Sequence, residues 1–225
     1  MIYNVGIIGA GLIGRKRAAA LNEDDDCNLK VIADINLEAA EGLARDFGGD
    51  IEPEWKKVIR RKDINIVLVS TFNKFSAPIS IAALKSGKNV LCEKPLGRNV
   101  GESKAIIDEA KKNDMALKTG FNHRHHPAIY KARQIANNGE IGNIFCIRCI
   151  YGHGGRPGYE KEWRASKDLC GGGELLDQGI HVVDLFRWFL GEFEEVFGRI
   201  DTFYWNMEVE DNAFAVFKTK MVRGI

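Results

Sequence analysis

The feature that most constrains the fold of this chain is a run of glycines near its start, Gly9-Ala10-Gly11-Leu12-Ile13-Gly14. Residues 3–8 are a short apolar run that predicts a β-strand directly before the glycines, and residues 12–21 predict a helix that begins within them. A second predicted strand, 29–33, ends immediately before Asp34. A G-x-G-x-x-G pattern between a strand and a helix, with an acid about twenty residues further on, is typical of a β-α-β unit that binds a dinucleotide.

Each glycine has a physical role in such a unit. Gly9 allows a tight turn, Gly11 lets the backbone approach a pyrophosphate, and Gly14 lets the helix pack closely on the sheet. The N-terminus of the helix offers N–H groups and a partial positive charge to the phosphates. The loop residues that we assign to cofactor binding are Gly9, Ala10, Gly11, Leu12, Ile13 and Gly14.

Asp34 indicates which dinucleotide the unit prefers. Its carboxylate would accept hydrogen bonds from the adenosine ribose hydroxyls and would repel a 2′-phosphate, and Ile35 stands where a basic residue would otherwise meet that phosphate. NAD is therefore favoured over NADP. Two alternatives stay open at this point. The glycines could serve turns only, with Asp34 capping the next helix, or the unit could belong to a Rossmann-type methyltransferase, although Gly14 argues against that.

The rest of the first 120 residues continues the alternation of strand and helix. The predicted strands are 64–70, 89–92 and 115–119, and the predicted helices are 37–47, 77–86 and 101–112. The continuously apolar, β-branched run 64–70 suits a strand that is buried on both faces. We therefore predict an α/β Rossmann domain, residues 1–120, with a parallel sheet and helices on both faces.

The pattern changes after Gly120. The predicted elements are a helix at 127–137, a long strand at 144–151, a glycine-rich loop at 152–173, an apolar helix at 174–190, and two alternating stretches at 193–204 and 212–220. They predict a second, α+β domain, residues 121–225, with a largely antiparallel open sheet. Because that sheet ends on a single hairpin, we interpret the chain as truncated at its C-terminus or completed by a partner, and we expect a homo-oligomer through the open sheet.

Composition excludes several classes of protein and partner. The chain of 225 residues is 45% hydrophobic, which excludes disorder, and its 32 basic against 31 acidic residues give no field that would attract nucleic acid or a membrane surface. The start lacks the basic region of a signal peptide and runs straight into a predicted strand, so we do not expect a signal peptide, and no apolar run is long enough to cross a membrane. The odd number of cysteines, five, indicates a reducing, cytoplasmic location, and we expect the pair Cys146 and Cys149 to be buried or half-buried and inert.

A stripe of polar residues interrupts the apolar helix predicted at 174–190. At about 100° per residue, Asp177, His181 and Asp184 fall on one face of that helix. Burying such groups is costly unless they pair or line a cavity, and Asp177 can hydrogen-bond His181 four residues later. The pair either anchors the helix or belongs to a site. The glycines at 171–173, which remove side chains just before the helix, favour a site.

Lys94 follows the predicted strand 89–92, in the sequence Cys92-Glu93-Lys94-Pro95. Ligands of doubly wound folds bind at the carboxyl ends of such strands. A lysine there can polarise a hydroxyl or stabilise an alkoxide. On position alone, the alternative of a surface lysine before a helix-initiating proline is the stronger one.

Several of these motifs together resemble one family, the glucose–fructose oxidoreductase, inositol dehydrogenase and MocA (Gfo/Idh/MocA) oxidoreductases. The motifs that carry the resemblance are Gly9–Gly14, Asp34, Glu93-Lys94-Pro95, Gly120-Phe-Asn-His-Arg124 and Gly171–His181. The resemblance implies an NAD(P)-dependent dehydrogenase that acts on CH–OH groups of a sugar, polyol or nucleotide sugar. The chain departs from it in Ser76, where many members have a histidine, and in its length, since the family's chains are longer.

The resemblance also implies roles for single residues. Lys94 would contact the reacting hydroxyl, His181 would be the general base and acid, and Asp177 would orient His181 or bind a substrate hydroxyl. The further residues implied in cofactor binding are Thr71, Phe72, Glu93, Lys94, Asn122, Trp163 and Arg164. No metal is implied, and adjacent histidines such as those at 123, 125 and 126 do not converge readily on one ion.

These inferences combine into a hypothesis of hydride transfer. The substrate's hydroxyl proton goes to His181 with help from Lys94, while the hydride leaves its carbon for the nicotinamide. The loop from residue 152 is either a mobile connection or a lid, in which Arg156 would meet a phosphate or carboxylate. The alternative function is a dinucleotide-binding module without catalysis, or an inactive truncated relative.

Overall fold

The computed structural model of the protein describes residues 2–220. Along the chain they divide into two compact units, with the division between Gly120 and Phe121. No helix in the described range combines the length and the apolar character that crossing a membrane requires. Each unit has its own sheet.

The first unit contains a sheet of six parallel strands in the order β3-β2-β1-β4-β5-β6. The strands are β1 (Tyr3–Ile8), β2 (Cys27–Ala33), β3 (Asp50–Glu52), β4 (Ile66–Val69), β5 (Asn89–Cys92) and β6 (Leu117–Thr119). Strand β1 pairs with both β2 and β4, so the order of the strands reverses there. In open parallel sheets, ligands bind beyond the carboxyl ends of the strands at such a reversal.

Five helices connect these strands and confirm the predicted α/β class. They are α1 (Leu12–Asn22), α2 (Leu37–Phe47), α3 (Trp55–Arg60), α4 (Asn73–Lys85) and α5 (Val100–Lys112). Strand β3 and helix α3 were not predicted, because both are short and their charged residues interrupt any apolar pattern. Helix α4 begins four residues before the predicted position and contains Pro78, a residue that more often starts a helix than lies inside one.

The sheet separates two apolar clusters, one on each face. Val5 and Ile7 of β1 belong to one cluster, whereas Ile8 belongs to the other. All three side chains are at most 2% exposed. The strands of this sheet are therefore covered on both sides, as a parallel sheet with helices on both faces requires.

The second unit is an antiparallel hairpin with helices. Its longer elements are α6 (Pro127–Asn137), α7 (Lys167–Cys170), α8 (Ile180–Leu190), β7 (Phe193–Asp201) and β8 (Asn212–Thr219). Strands β7 and β8 pair with each other along their whole length. The prediction of an α+β region with an antiparallel sheet is confirmed, and in the described residues that sheet has two strands.

The prediction of a strand at 144–151 is wrong. Residues 142–156 have no regular secondary structure, and Phe145 and Ile150 are each 90% exposed. The expectation that Cys146 and Cys149 are buried or half-buried is also wrong, because both are exposed. A strand needs a neighbour for its backbone hydrogen bonds, and within the described residues this segment pairs with neither strand of the hairpin.

The helix predicted at 174–190 forms, but its first turn is not α-helical. Leu175–Gly179 is a π-helical turn that continues into α8. A helix this apolar is expected to be buried. That expectation is wrong for the apolar residues of α8, which are only half-buried, whereas His181 is buried. The helix thus buries its polar residues, His181 and, in the π-turn, Asp177, more completely than its apolar ones. π-Turns of this kind occur frequently at functional sites.

Candidate active site

The glycine loop after β1 is held from both sides. Gly9 has a φ of +103°, and a Cβ atom there would lie 2.4 Å from the carbonyl oxygen of Ser70. The Gly9 N–H donates to the carbonyl of Ala33 (2.8 Å), and the Ser70 hydroxyl donates to the Gly9 carbonyl (2.7 Å). Ser70, which the sequence analysis did not single out, therefore ties the loop to the end of β4.

Gly14 and Gly11 differ in their surroundings. A Cβ atom at Gly14 would lie 2.0 Å from the Gly9 carbonyl oxygen, so the first turn of α1 contacts the loop backbone directly. At Gly11, no atom lies within 4 Å of such a Cβ. Gly11 is also the N-cap of α1, and no side chain caps that helix. The open space at the uncapped N-terminus fits a pyrophosphate, as the three glycines predict.

Asp34 closes the loop from the end of β2. One carboxylate oxygen accepts from the Ala10 N–H (2.6 Å), and the other accepts from the Asn36 N–H (2.8 Å). Asn36, not Asp34, caps α2, because its side chain accepts from the Ala39 N–H (3.2 Å). This geometry argues against Asp34 as a helix cap and keeps its carboxylate at the glycine loop, where the ribose contact is predicted.

Strand β5 ends at the pair Glu93 and Lys94. The Glu93 N–H donates to the Val69 carbonyl of β4 (2.9 Å), which places the pair at the carboxyl edge of the sheet. Lys94 is half-buried, and its peptide bond to Pro95 is cis. Thr71 and Phe72 follow β4, the neighbouring strand, so these predicted cofactor residues lie at the same edge.

Arg17 is a partner of Glu93 that the sequence analysis missed. Its guanidinium, on α1, donates to the Glu93 carboxylate through Nε (2.7 Å) and also through Nη2. The carboxylate lies so close to Gly120 that a Cβ atom there would be 2.5 Å from it. Glu93 thus links α1, β5 and the end of β6. Its predicted contact with the nicotinamide stays a prediction.

We expect Arg17→Met to lower the free energy of unfolding by roughly 1–2 kcal/mol, because the Glu93 carboxylate would stay largely buried without its cation. Urea denaturation measures the change. Arg15→Met is the matched control, since Arg15 lies on the same helix and pairs with Asp46 at the surface. An exposed pair contributes about 0.5 kcal/mol or less. Equal losses in the two variants would contradict this role for Arg17.

In the second unit, Asp177 is buried and bound by an arginine. Its carboxylate accepts from Arg164 Nε (3.1 Å) and from the Gln178 amide (3.1 Å). The Arg164 guanidinium also lies 4.6 Å from the centre of the Trp163 ring. The sequence analysis assigned Trp163 and Arg164 to the cofactor, and that contact stays a prediction, as does the hydrogen bond between Asp177 and His181.

His181 is buried in the first turn of α8 and stacks on a second histidine. The rings of His181 and His123 lie 4.0 Å apart, centre to centre, with an angle of 19° between their planes. The edge of Phe121 meets His181 at 6.1 Å. His123 belongs to a short 3₁₀ turn that begins at Asn122, a predicted cofactor residue whose side chain is exposed. His123 belongs to the motif Gly120-Phe-Asn-His-Arg124, but nothing in the sequence predicts that its ring stacks on His181.

The third polar residue of the stripe has a structural partner. Asp184 accepts two hydrogen bonds from Arg124, through Nε (2.7 Å) and Nη2 (2.6 Å). Arg124 follows His123 directly, so this ion pair fastens the 3₁₀ turn to α8 next to the stacked histidines. Among residues 2–220, no group of three or more histidine, cysteine or acidic side chains could hold a metal ion.

The glycine-rich loop is anchored at one buried tyrosine. The Tyr159 hydroxyl donates to Glu174 (2.7 Å), and its ring contacts Trp205. Burial and the neighbouring carboxylate of Glu174 raise the pKa of Tyr159. Arg156, proposed above to meet an anionic substrate group, pairs with Glu162 at 2.6 Å. Tyr159 therefore anchors the loop, and Arg156 forms an ion pair with Glu162 within it.

Family models match almost the whole chain. Residues 3–121 match the oxidoreductase family with the NAD-binding Rossmann fold, and residues 129–224 match the GFO/IDH/MocA C-terminal domain. The chain carries the NAD-binding domain of that family. The first match also argues against the methyltransferase alternative.

Curated relatives include two sugar or polyol dehydrogenases. The levoglucosan dehydrogenase of Pseudarthrobacter phenanthrenivorans is 35% identical over 210 residues, which are 88% of this chain and 54% of that protein. The myo-inositol 2-dehydrogenase of Thermotoga maritima is 34% identical over 197 residues, 86% of this chain and 57% of that one. The chain thus spans little more than half the length of these relatives.

The fold agrees with a solved structure of levoglucosan dehydrogenase in complex with NADH. The TM-score is 0.89 at 32% identity, with 96% of this chain and 63% of that chain covered. A complex of the same enzyme with NADH and levoglucosan has the same scores. Family models over both units and relatives of this similarity show that the chain belongs to the Gfo/Idh/MocA family of oxidoreductases.

Proposed function

We propose that this protein transfers a hydride between NAD and a CH–OH carbon of a sugar or polyol. The observation that carries the proposal is the glycine loop, whose open position at Gly11 and acid at Asp34 suit an NAD pyrophosphate and ribose. The named relatives act on levoglucosan and myo-inositol, which supports a cyclic, polyhydroxylated substrate. Because Arg156 pairs with Glu162, an uncharged substrate is favoured over a phosphorylated one.

In this proposal, three residues act on the substrate hydroxyl. The Lys94 ammonium stabilises negative charge on the reacting oxygen, and the His181 imidazole accepts the hydroxyl proton. Asp177, held by Arg164, orients the imidazole or binds a neighbouring substrate hydroxyl. When bound, NAD accepts or returns the hydride at C4 of the nicotinamide.

A fluorescence-monitored titration with NADH tests the proposal, followed by incubation with NAD⁺ and a panel of sugars and polyols. We expect saturable NADH binding and NADH formation with at least one neutral cyclic polyol. Binding without turnover across the panel would favour the dinucleotide-binding module instead. Absence of NADH binding would overturn the proposal, and a parallel titration with S-adenosylmethionine serves as the negative control.

The charge of Asp34 gives a separate prediction about cofactor choice. We expect the protein to bind NADH more tightly than NADPH, because the carboxylate repels the 2′-phosphate. Asp34→Asn keeps the shape of the side chain and removes the charge, so the preference should fall by about tenfold, equivalent to about 1.4 kcal/mol. Competitive titration of both cofactors measures the ratio, and an unchanged ratio in the variant would contradict the assignment.

A further inference from the structure

The strongest unexplained feature of the second unit is the stack of two histidines. The His181 ring is 5% exposed, and the His123 ring lies nearly parallel to it at 4.0 Å. The N–H groups of an imidazole lie in the plane of its ring. Two rings stacked face to face therefore interact through their faces and their charges, not through a hydrogen bond between them.

A tyrosine also contacts His123. The Tyr151 ring meets His123 edge-on at 5.5 Å, and its hydroxyl lies 3.4 Å from His123 Nε2. Desolvation by burial, together with the charge of Asp177, raises the pKa of Tyr151, so its hydroxyl stays neutral. The position of His123 is thus fixed by contacts on two sides, with Phe121 next to the stack.

Two aspartates on the same helical segment as His181 are each bound by an arginine. Asp177, in the turn before His181, binds Arg164 at 3.1 Å, and Asp184, one turn after it, binds Arg124 at 2.6 and 2.7 Å. Glu174 accepts from Tyr159. The guanidinium on each aspartate offsets part of the negative charge that would otherwise favour protonation of both imidazoles.

We propose that His123 is a positioning residue for His181: it fixes the plane of the imidazole and, by repulsion, limits the stacked pair to one proton near neutral pH. His181 then remains able to accept a proton. Two ionisable rings at this separation titrate as a coupled pair, with two steps that belong to both. The consequence for catalysis rests on the proposed function, because it requires His181 to be the base.

Histidine titration by NMR tests the coupling without any substrate. In the full chain with isotope-labelled histidine, we expect both stacked rings to report two separated protonation steps. In His123→Phe, which keeps a ring in the stack and removes its charge, His181 should titrate in one step, about one pH unit above its lower step in the unchanged protein. His125→Phe, an exposed neighbour, is the control and should leave the titration of His181 unaltered.

The same titration curve for His181 in the unchanged protein and in His123→Phe would overturn the proposal. If His123→Phe does not unfold cooperatively and is therefore misfolded, His123→Asn replaces it. The titration of the unchanged protein tests the coupling in either case. Independent single-step titration of the two rings in that protein would overturn the coupling.

The pH dependence of activity is a second test. In an active protein, the acid limb of kcat/KM should move up by about one pH unit in His123→Phe. If the two histidines titrate as a coupled pair but the protein has no turnover, the proposed function is overturned and the coupling of the two rings stands. An active protein with uncoupled rings would overturn only the role of His123.

Discussion

Replacing Lys94 or His181 by alanine is expected to lower kcat by about two to four orders of magnitude, while NADH still binds. The reason is that positioned acid–base groups contribute about 10²–10⁴-fold to a proton transfer. Neither residue belongs to the glycine loop or contacts Asp34 in the hydrogen bonds described above. Steady-state rates and NADH titrations on the same preparations separate the chemical step from cofactor binding.

Two controls make this result specific. Lys104→Ala removes an exposed lysine from α5, and His125→Ala removes an exposed histidine from the 3₁₀ turn next to His181. Both should turn over like the unchanged protein. His181→Asn accompanies His181→Ala, because His181 is buried and its truncation leaves a cavity in α8. Full turnover in both Lys94→Ala and the two His181 variants would reject the assigned roles.

Two substitutions in the glycine motif should differ in their effect on stability, although both weaken NADH binding. Gly14→Ala is expected to lower the free energy of unfolding by about 3 kcal/mol, because the new Cβ would lie 2.0 Å from the Gly9 carbonyl. That carbonyl cannot move away freely, since the Ser70 hydroxyl binds it at 2.7 Å. Urea denaturation measures the loss, and NADH binding should be lost with the loop geometry.

Gly11→Ala should leave stability within about 0.5 kcal/mol, since nothing lies within 4 Å of its Cβ and its φ of −68° is ordinary. Its affinity for NADH should nevertheless fall at least about tenfold, because the methyl group occupies the space assigned to the pyrophosphate. A stable Gly11→Ala that binds NADH as the unchanged protein does would place the cofactor elsewhere. A stable Gly14→Ala would contradict the packing argument.

The glycine loop could be predicted from sequence because its constraints are local. Gly9, Gly11 and Gly14 each meet a requirement set by the backbone within a few residues or by the neighbouring strand. The structure shows the positive φ at Gly9, the close packing at Gly14 and open space at Gly11, where pyrophosphate binding stays a prediction. The same holds for most strands of the first unit, whose apolar runs are long enough to be recognised. Strand β3 has only three residues, two of them acidic, and gave no such pattern.

What could not be predicted depends on residues that are far apart along the chain. Arg17 and Glu93 are 76 residues apart, and the stacking of His123 on His181 follows from tertiary packing that no spacing rule describes. The segment at 144–151 has the composition of a strand, but a strand also needs a partner, which the described hairpin does not provide. The π-helical turn before His181 could not be predicted either, because the apolar pattern of residues 174–190 is the one expected of an ordinary α-helix.

The most direct test of the account is the transfer of deuterium. The protein is incubated with NAD⁺ and a panel of cyclic sugars and polyols that carry deuterium on carbon, and the NADH formed is analysed by mass spectrometry. We expect NADH that has gained a single deuterium from at least one substrate, and a rate of its formation at least about 100-fold lower with His181→Asn. Tight binding of NADH with no deuterated product from any member of the panel would contradict a dehydrogenase.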